Sequence, residues 1–227
     1  MSLIPAAPVS PKVFIEEVVP QAFAQVELDE HEAGVDLKIG AVLLGDEGGE
    51  WTLHFSGGEL KVHPAREDDA QITIIQRVED WRSSLWEGRP ALVADGVERI
   101  RSQGMEGLRP PPPPDGSPRP DPLKGISDLR GRIEMVIQGD EISSGEGDAR
   151  MDWAIGVQIG EGPVAETPAA TIKLGAAEAE DIRQGRLHPL EALITGRLQL
   201  DGDLGLILQL QAVAMTLSMT AGGGVSR

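Results

Sequence analysis

Short runs of the chain alternate apolar and polar residues, and in other stretches the apolar positions recur at helical spacing. Val35, Leu37 and Ile39 share one face of an alternating stretch from Val35 to Leu44, which predicts a strand. Trp51 to Ser56 and Glu59 to His63 flank Gly57-Gly58, and two residues that tolerate positive φ predict a tight hairpin. Gln71 to Ile75 reads as a further short strand. Val13 to Val26 carries Val13, Phe14, Val18, Val19, Phe23 and Val26 as an amphipathic helix would, with Pro20 kinking or interrupting it. Val78 to Glu87 and Ala91 to Ser102 also read as helices.

A comparable order follows downstream. Strands are expected over Arg132 to Gln138, Ala149 to Ile159 and Ala170 to Leu174, then helices over Ala176 to Gln184 and His188 to Thr195. Pro189 suits a first helical position, where its missing N–H costs nothing. A strand at Arg197 to Leu200 and an Asp201-Gly202-Asp203 turn and cap lead into a terminal helix. Leu206, Leu210, Val213 and Leu217 form its apolar stripe. Each half is thus α+β, with an antiparallel meander first and helices afterwards.

Between the halves runs RPPPPPDGSPRPDP, a polyproline spacer that divides the chain into units 1–108 and 123–227 around a linker at 109–122. Three blocks recur across it. Trp51 answers to Trp153, Ala70-Gln71-Ile72-Thr73-Ile74 to Ala170-Thr171-Ile172-Lys173-Leu174, and Glu79-Asp80 to Glu180-Asp181. Their offset stays between 100 and 102 residues, which argues for a duplicated domain. Gly88-Arg89 against Gly185-Arg186 drifts to 97 and needs a gap.

Composition narrows the function classes. The 37 acids against 20 bases in 227 residues give a net charge of -17, so nucleic acid and anionic membranes are disfavoured partners. Both sides of the spacer are acidic, with 20 acids to 10 bases before Pro110 and 17 to 10 after it. Cys is absent, which removes disulfides, thiol nucleophiles and thiolate zinc sites; Tyr and Asn are absent as well. Five Lys against fifteen Arg suggest a genome that avoids AT-rich codons. Met1 to Val9 lacks the features of a signal peptide, and the apolar stretch Leu204 to Met219 is broken by Gln209 and Gln211. A cytoplasmic protein without stable membrane insertion is expected.

The most specific segment is Gly185-Arg186-Leu187-His188-Pro189-Leu190 continuing to Gly196-Arg197-Leu198-Gln199-Leu200-Asp201-Gly202-Asp203. It resembles the C-terminal signature of the sterol carrier protein 2 family. There a glycine-ended helix, a second short helix, a G-[KR]-L strand and a G-[DN] turn precede a terminal apolar helix. The resemblance covers most of Leu123 to Leu217. It covers Val35 to Gly88 more weakly, because the first half lacks the strand and turn and so reads as a truncated or reworked unit. The resemblance implies a mainly antiparallel five-stranded sheet covered on one face by helices, duplicated here. It further implies an apolar tunnel between sheet and helices for a fatty acid, acyl-CoA, sterol or isoprenoid-like lipid. By that implication Ile155, Val157, Ile172 and Leu174 line the sheet side. Leu190, Leu193, Ile194, Leu206, Leu210, Val213, Met215 and Leu217 line the helix side, with Met215 and Met219 as a flexible rim. Gly202 and Gly205 would allow close backbone approach or a swing of the terminal helix.

The remaining candidates carry less. His54 and His63 fall diagonally on one hairpin, with no third ligand unless Asp68 or Asp69 folds back, so they read as a solvated face. His31 adds nothing to them, and His188 reads as a cap or mouth residue. Glu180-Asp181 reads as acids at a helix N-terminus. Trp81 and Trp86 read as core aromatics, with exposed anchors for a partner as the alternative. No Ser-elbow, Walker loop or dinucleotide fingerprint is present, so no catalytic residue, metal or cofactor is expected. The expected function is non-enzymatic carriage of a lipid-like small molecule. A structural homodimer module, or an accessory factor presenting a lipid-like intermediate to a biosynthetic enzyme partner, is the alternative.

Overall fold

Alternation decides the strands and capping the helices. The computed structural model describes residues 4–28, 30–104, 129–139 and 152–210. Helix α1 starts where Ser10 Oγ accepts from Val13 N at 3.3 Å, with Pro11 at its first turn. It runs through Pro11–Val13, a wide π-type turn at Phe14–Val18, and Val19–Phe23. Val19 N–H bonds back to Phe14 O, and that wide turn takes the helix past Pro20 without an interruption. After a short helix α2 (Glu30–Ala33) come strands β1 (Leu37–Leu44), β2 (Gly49–Ser56), β3 (Glu59–His63) and β4 (Ile72–Arg77). Gly57 and Gly58, at φ of 60° and 77°, make the tight β2–β3 turn that the Gly-Gly pair predicts.

Helix α3 covers Val78–Arg82 and a second wide turn, Ser83–Glu87, ending at Gly88 in the left-handed region. Helix α4 spans Ala91–Gln103. The second half supplies β5 (Gly131–Gln138), β6 (Trp153–Ile159), β7 (Ala170–Gly175), α5 (Ala176–Arg183), α6 (Pro189–Ile194) and β8 (Leu198–Gly202). Helix α7 begins at 204 and is described to 210. Asp201 and Gly202, expected as a turn, extend β8 by pairing with Thr171 and Ala170, and Asp203 alone caps α7 through Leu206 N at 3.1 Å. The proline-rich linker, and Val213, Met215, Leu217 and Met219, lie outside the described residues.

The expectation of a five-stranded, mainly antiparallel sheet is corrected. All eight strands form one mixed sheet in the order β3-β2-β1-β4-β6-β5-β7-β8. β1 pairs antiparallel with β2 and parallel with β4, while β5 pairs antiparallel with β6 and parallel with β7. The outer edge of β7 is taken by β8. Among the described residues the first half has no strand after β4 to do the same, and β4 pairs with β6 instead, Ile74 opposite Val157. That pairing satisfies a row of backbone donors and acceptors that would otherwise stand open.

Register sorts the side chains cleanly. Ile39, Ala41 and Leu43 of β1 share a face with Trp51, Leu53 and Phe55 of β2 and with Ile72, Ile74 and Gln76 of β4. The same face continues through Trp153, Ile155, Val157 and Ile159, then Ile133, Met135 and Ile137, then Ala170, Ile172 and Leu174. The helices pack on this side. Three buried clusters result: Phe14, Ile15, Leu43, Trp51 and Val78; Ile137, Trp153, Leu174 and Ala179; and Leu129, Ile133, Ile159, Ala170, Leu206 and Ile207. Helix α4, from the first half, packs Leu92 and Val93 into the second of these, over strands of the other half. The opposite face is mixed, with Lys38, Thr52, Thr73, Gln158 and Arg132 beside buried Val42 and Ile75.

Candidate functional site

The seam between β4 and β6 is clamped at both ends. At one end Arg77 Nε donates to Asp80 Oδ2 at 2.7 Å, and Arg77 also reaches the Asp152 carbonyl. Ala154 N donates to the same Asp80 oxygen at 3.3 Å. Trp153 Nε1 donates to Asp80 O at 3.1 Å and to Ser84 Oγ at 3.0 Å. Helix α3 is thereby fixed to the start of β6. At the other end Arg66 donates from Nε to Thr73 Oγ1 at 3.0 Å and from its guanidinium to Gly162 O at 2.5 Å. Gly160 N and Gly162 N donate to Gln71 O and Asp68 O at 2.8 and 2.6 Å.

Between these clamps the helix-side face is left partly open. Ile74, in the middle of the sheet with neighbours on both sides, is 39% exposed. Its register partners Ala41 and Val157 are half-buried, as are Ile39 and Ile72 one step along. Ile39, Ile72 and Ile74 lie outside all three buried clusters. In the adjacent row Ile155, Met135, Ile172 and Leu200 are half-buried in sequence across the sheet. The row begins at Gln76, which is paired to Ile155 and buried. A strip of aliphatic surface therefore crosses the seam, bounded by α1 and α3 on one side, and by α4, α5 and α7 on the other.

Of the residues expected to line a tunnel, Ile155, Val157 and Ile172 lie on this strip. Leu174 is buried against Ile137 and Trp153, and Leu206 against Ile133, Ile159 and Ala170. Leu210 packs on the edge of that last cluster. Helix α6 turns Ala192 inward and leaves Leu190, Leu193 and Ile194 exposed, Ile194 at 77%. His188 caps α6, its Nδ1 accepting from Leu190 N at 3.2 Å. The helix has a single buried position because it is under two turns long, so one side chain satisfies its contact with the sheet.

Sequence reasoning missed the first-half residues Ile39, Ile72, Ile74 and Gln76. Their signal was available, because the alternation Ile72, Ile74, Gln76 runs one residue past the Ile75 at which the strand was expected to stop.

Several polar groups away from the strip are paired. Lys38 Nζ binds Glu67 and Asp69, each at 2.6 Å, which raises the Lys38 ammonium above its ordinary value and lowers the Asp69 carboxyl. His54 sits 2.9 Å from Asp36, and His63 lies 3.3 Å from Glu67. The reading of Glu180-Asp181 as N-terminal acids is corrected, since both fall in the second half of α5. Glu180 takes Arg183 at 2.6 Å and also Gln184, and its carboxyl is held down to about 2. Asp181 takes Arg186 at 2.7 Å and is lowered likewise. Arg183 also reaches Asp95 of α4 at 2.9 Å, so this ion network ties the two helices over the second half. Among the described residues no group of three His, Asp or Glu side chains is placed to hold a metal ion, and no helix is long and apolar enough to cross a membrane.

Residues 120–215 match the model of the SCP-2 sterol transfer family. No curated protein matches the chain. Among solved structures, the chain is similar to the sterol carrier protein domain 2 of Helicoverpa armigera, at 23% identity over 47% of this chain and 80% of that one, TM-score 0.30. It is also similar to sterol carrier protein 2 like 2 of Aedes aegypti, at 19% identity over 54% and 96%, TM-score 0.30. A third is the apo form of sterol carrier protein 2 from Yarrowia lipolytica, at 13% over 61% and 98%, TM-score 0.32. The family match covers the second half of the chain, where the sequence motif lies.

Proposed function

We propose that this protein binds a lipid-like small molecule on the open aliphatic strip and carries or shields it, without catalysing a reaction on it. The observation that carries the reading is Ile74. A large aliphatic side chain two-fifths exposed at the centre of an eight-stranded sheet leaves apolar area in water that an acyl or polycyclic ligand would cover. Each methylene so buried gains about 0.8 kcal/mol, which suits a site with a continuous aliphatic wall and few polar fixtures. The family match over 120–215 supports lipid binding or transfer as the class of activity.

The same reading treats the halves as two sterol-carrier-like units, 1–108 and 123–227, the first reworked. The offset near 100 residues supports it. So does the shared arrangement in which a central strand pairs antiparallel with the next strand and parallel with a later one. The test is mass spectrometry of material extracted from the native protein, with displacement of a fluorescent fatty acid. Co-purifying lipid and saturable displacement are expected; neither appearing would end the proposal.

A further inference from the structure

The helix-side face of the sheet holds one polar strand residue. Every other strand position facing the helices, from Leu60 and Val62 on β3 to Leu198 and Leu200 on β8, is apolar or glycine, and the exception is Gln76. It stands between Leu43 of β1 and Ile155 of β6, two residues along β4 from the exposed Ile74. Gln76 is 7% exposed, no hydrogen bond joins its side-chain amide to a described residue, and the amide is not among the buried polar atoms left without a partner, so its tip meets water. An amide that meets water within an otherwise apolar surface is open to a ligand group able to replace the hydrogen bonds of that water.

Resting on the binding reading above, we propose that Gln76 receives the polar end of the ligand, and that this end is an uncharged hydroxyl on an otherwise apolar molecule. The amide oxygen accepts from the hydroxyl and the amide N–H donates to it, so one group satisfies both ends of the side chain. A carboxylate fits worse. It accepts only, it would bring an ion to strands that place no cation on this face, and the chain already carries -17. The apolar body then runs from Gln76 along Ile74, Val157 and Met135, across the seam. The head group is bound by the first half and much of the body by the second, so the site belongs to the joined sheet and not to either half.

The experiment uses the full chain with 1,6-diphenylhexatriene, a probe without polar groups, displaced by dodecanol or by dodecanoate at pH 8. Dodecanol is expected to compete at about tenfold lower concentration than dodecanoate. Gln76→Met is expected to reduce that preference to about twofold or less. Equal or better competition by dodecanoate would overturn the inference, and that comparison needs no variant. An unchanged preference in a Gln76→Met protein that melts like the parent would also overturn it. Failure of the probe to bind at all would remove the binding reading together with this one, whereas probe uptake without head-group preference removes this one alone.

Discussion

Two regions of the helix-side face differ, for it is closed around Trp51 and Val78 and open at the seam around Ile74. Six of the seven aromatic residues lie in the first half, with Trp153 the exception. Phe14, Trp81 and Trp86 meet edge to face, with ring centroids 5.2 to 6.1 Å apart, and they close over Trp51 and Val78. Phe23 and Phe55 form a further pair at 5.2 Å. The second half packs Val157 and Ile172 with Leu129, Ile133, Leu206 and Ile207, and Ile155 and Met135 with Trp153, Ile137 and Ala179. Its helices bury the two ends of the strands and leave the middle half-covered. Aromatic volume fills the space between layers around Trp51, whereas Ile39, Ile72 and Ile74 beside the seam lie outside every buried cluster. The difference separates a closed region of the face from the half-open strip at the seam.

Substitutions break this contrast by graded amounts. The largest stability loss belongs to Trp51→Ala, which hollows the closed region and removes the Nε1 hydrogen bond to Glu16 at 2.8 Å. A loss of about 3–5 kcal/mol in urea unfolding is expected. Asp80→Ala comes next, because it removes the shared acceptor of Arg77 and Ala154 at the seam. It should cost about 1–3 kcal/mol by the same measurement. A cost near zero would show that the clamp does not hold the halves together.

Glu180→Gln acts through pH. Its carboxyl is held at about 2 against an ordinary 4.5, so its contribution is full above pH 4.5 and is lost as pH falls toward 2. Acid titration of the melting temperature should therefore be flatter for the variant across that window, the ion network of the second half being already broken. Ile194→Ser, on the exposed face of α6, should change stability by no more than about 0.5 kcal/mol. A larger loss would mean that α6 packs its apolar side in solution.

Strand positions and faces were legible because they depend on local alternation, and the Gly57-Gly58 turn because it depends on local backbone freedom. The size of the sheet was not. Whether β4 meets β6 or remains an edge is a non-local choice, and periodicity in Ile72 to Gln76 says which side faces the helices but not which strand lies alongside. The motif at Gly185 to Asp203 located the half that matches a known family, and Val157, Ile155 and Ile172 were legible as positions on one face of the sheet. Leu190 and Ile194 show the limit. A short helix with apolar residues on several faces does not reveal which one it buries, and Ala192 took the place that larger side chains were expected to fill. Gln76 escaped notice because a Gln followed by Arg reads as the end of a strand.

The central claim is that the strip around Ile74 takes an apolar molecule. Its most direct test is titration of the full chain, parent and Ile74→Glu, with 1,6-diphenylhexatriene. Ile74 is already two-fifths in water, so the charged variant should fold with little loss of stability. The account predicts saturable fluorescence gain for the parent and a loss of affinity of about tenfold or more for Ile74→Glu. Equal binding by the two proteins would contradict it.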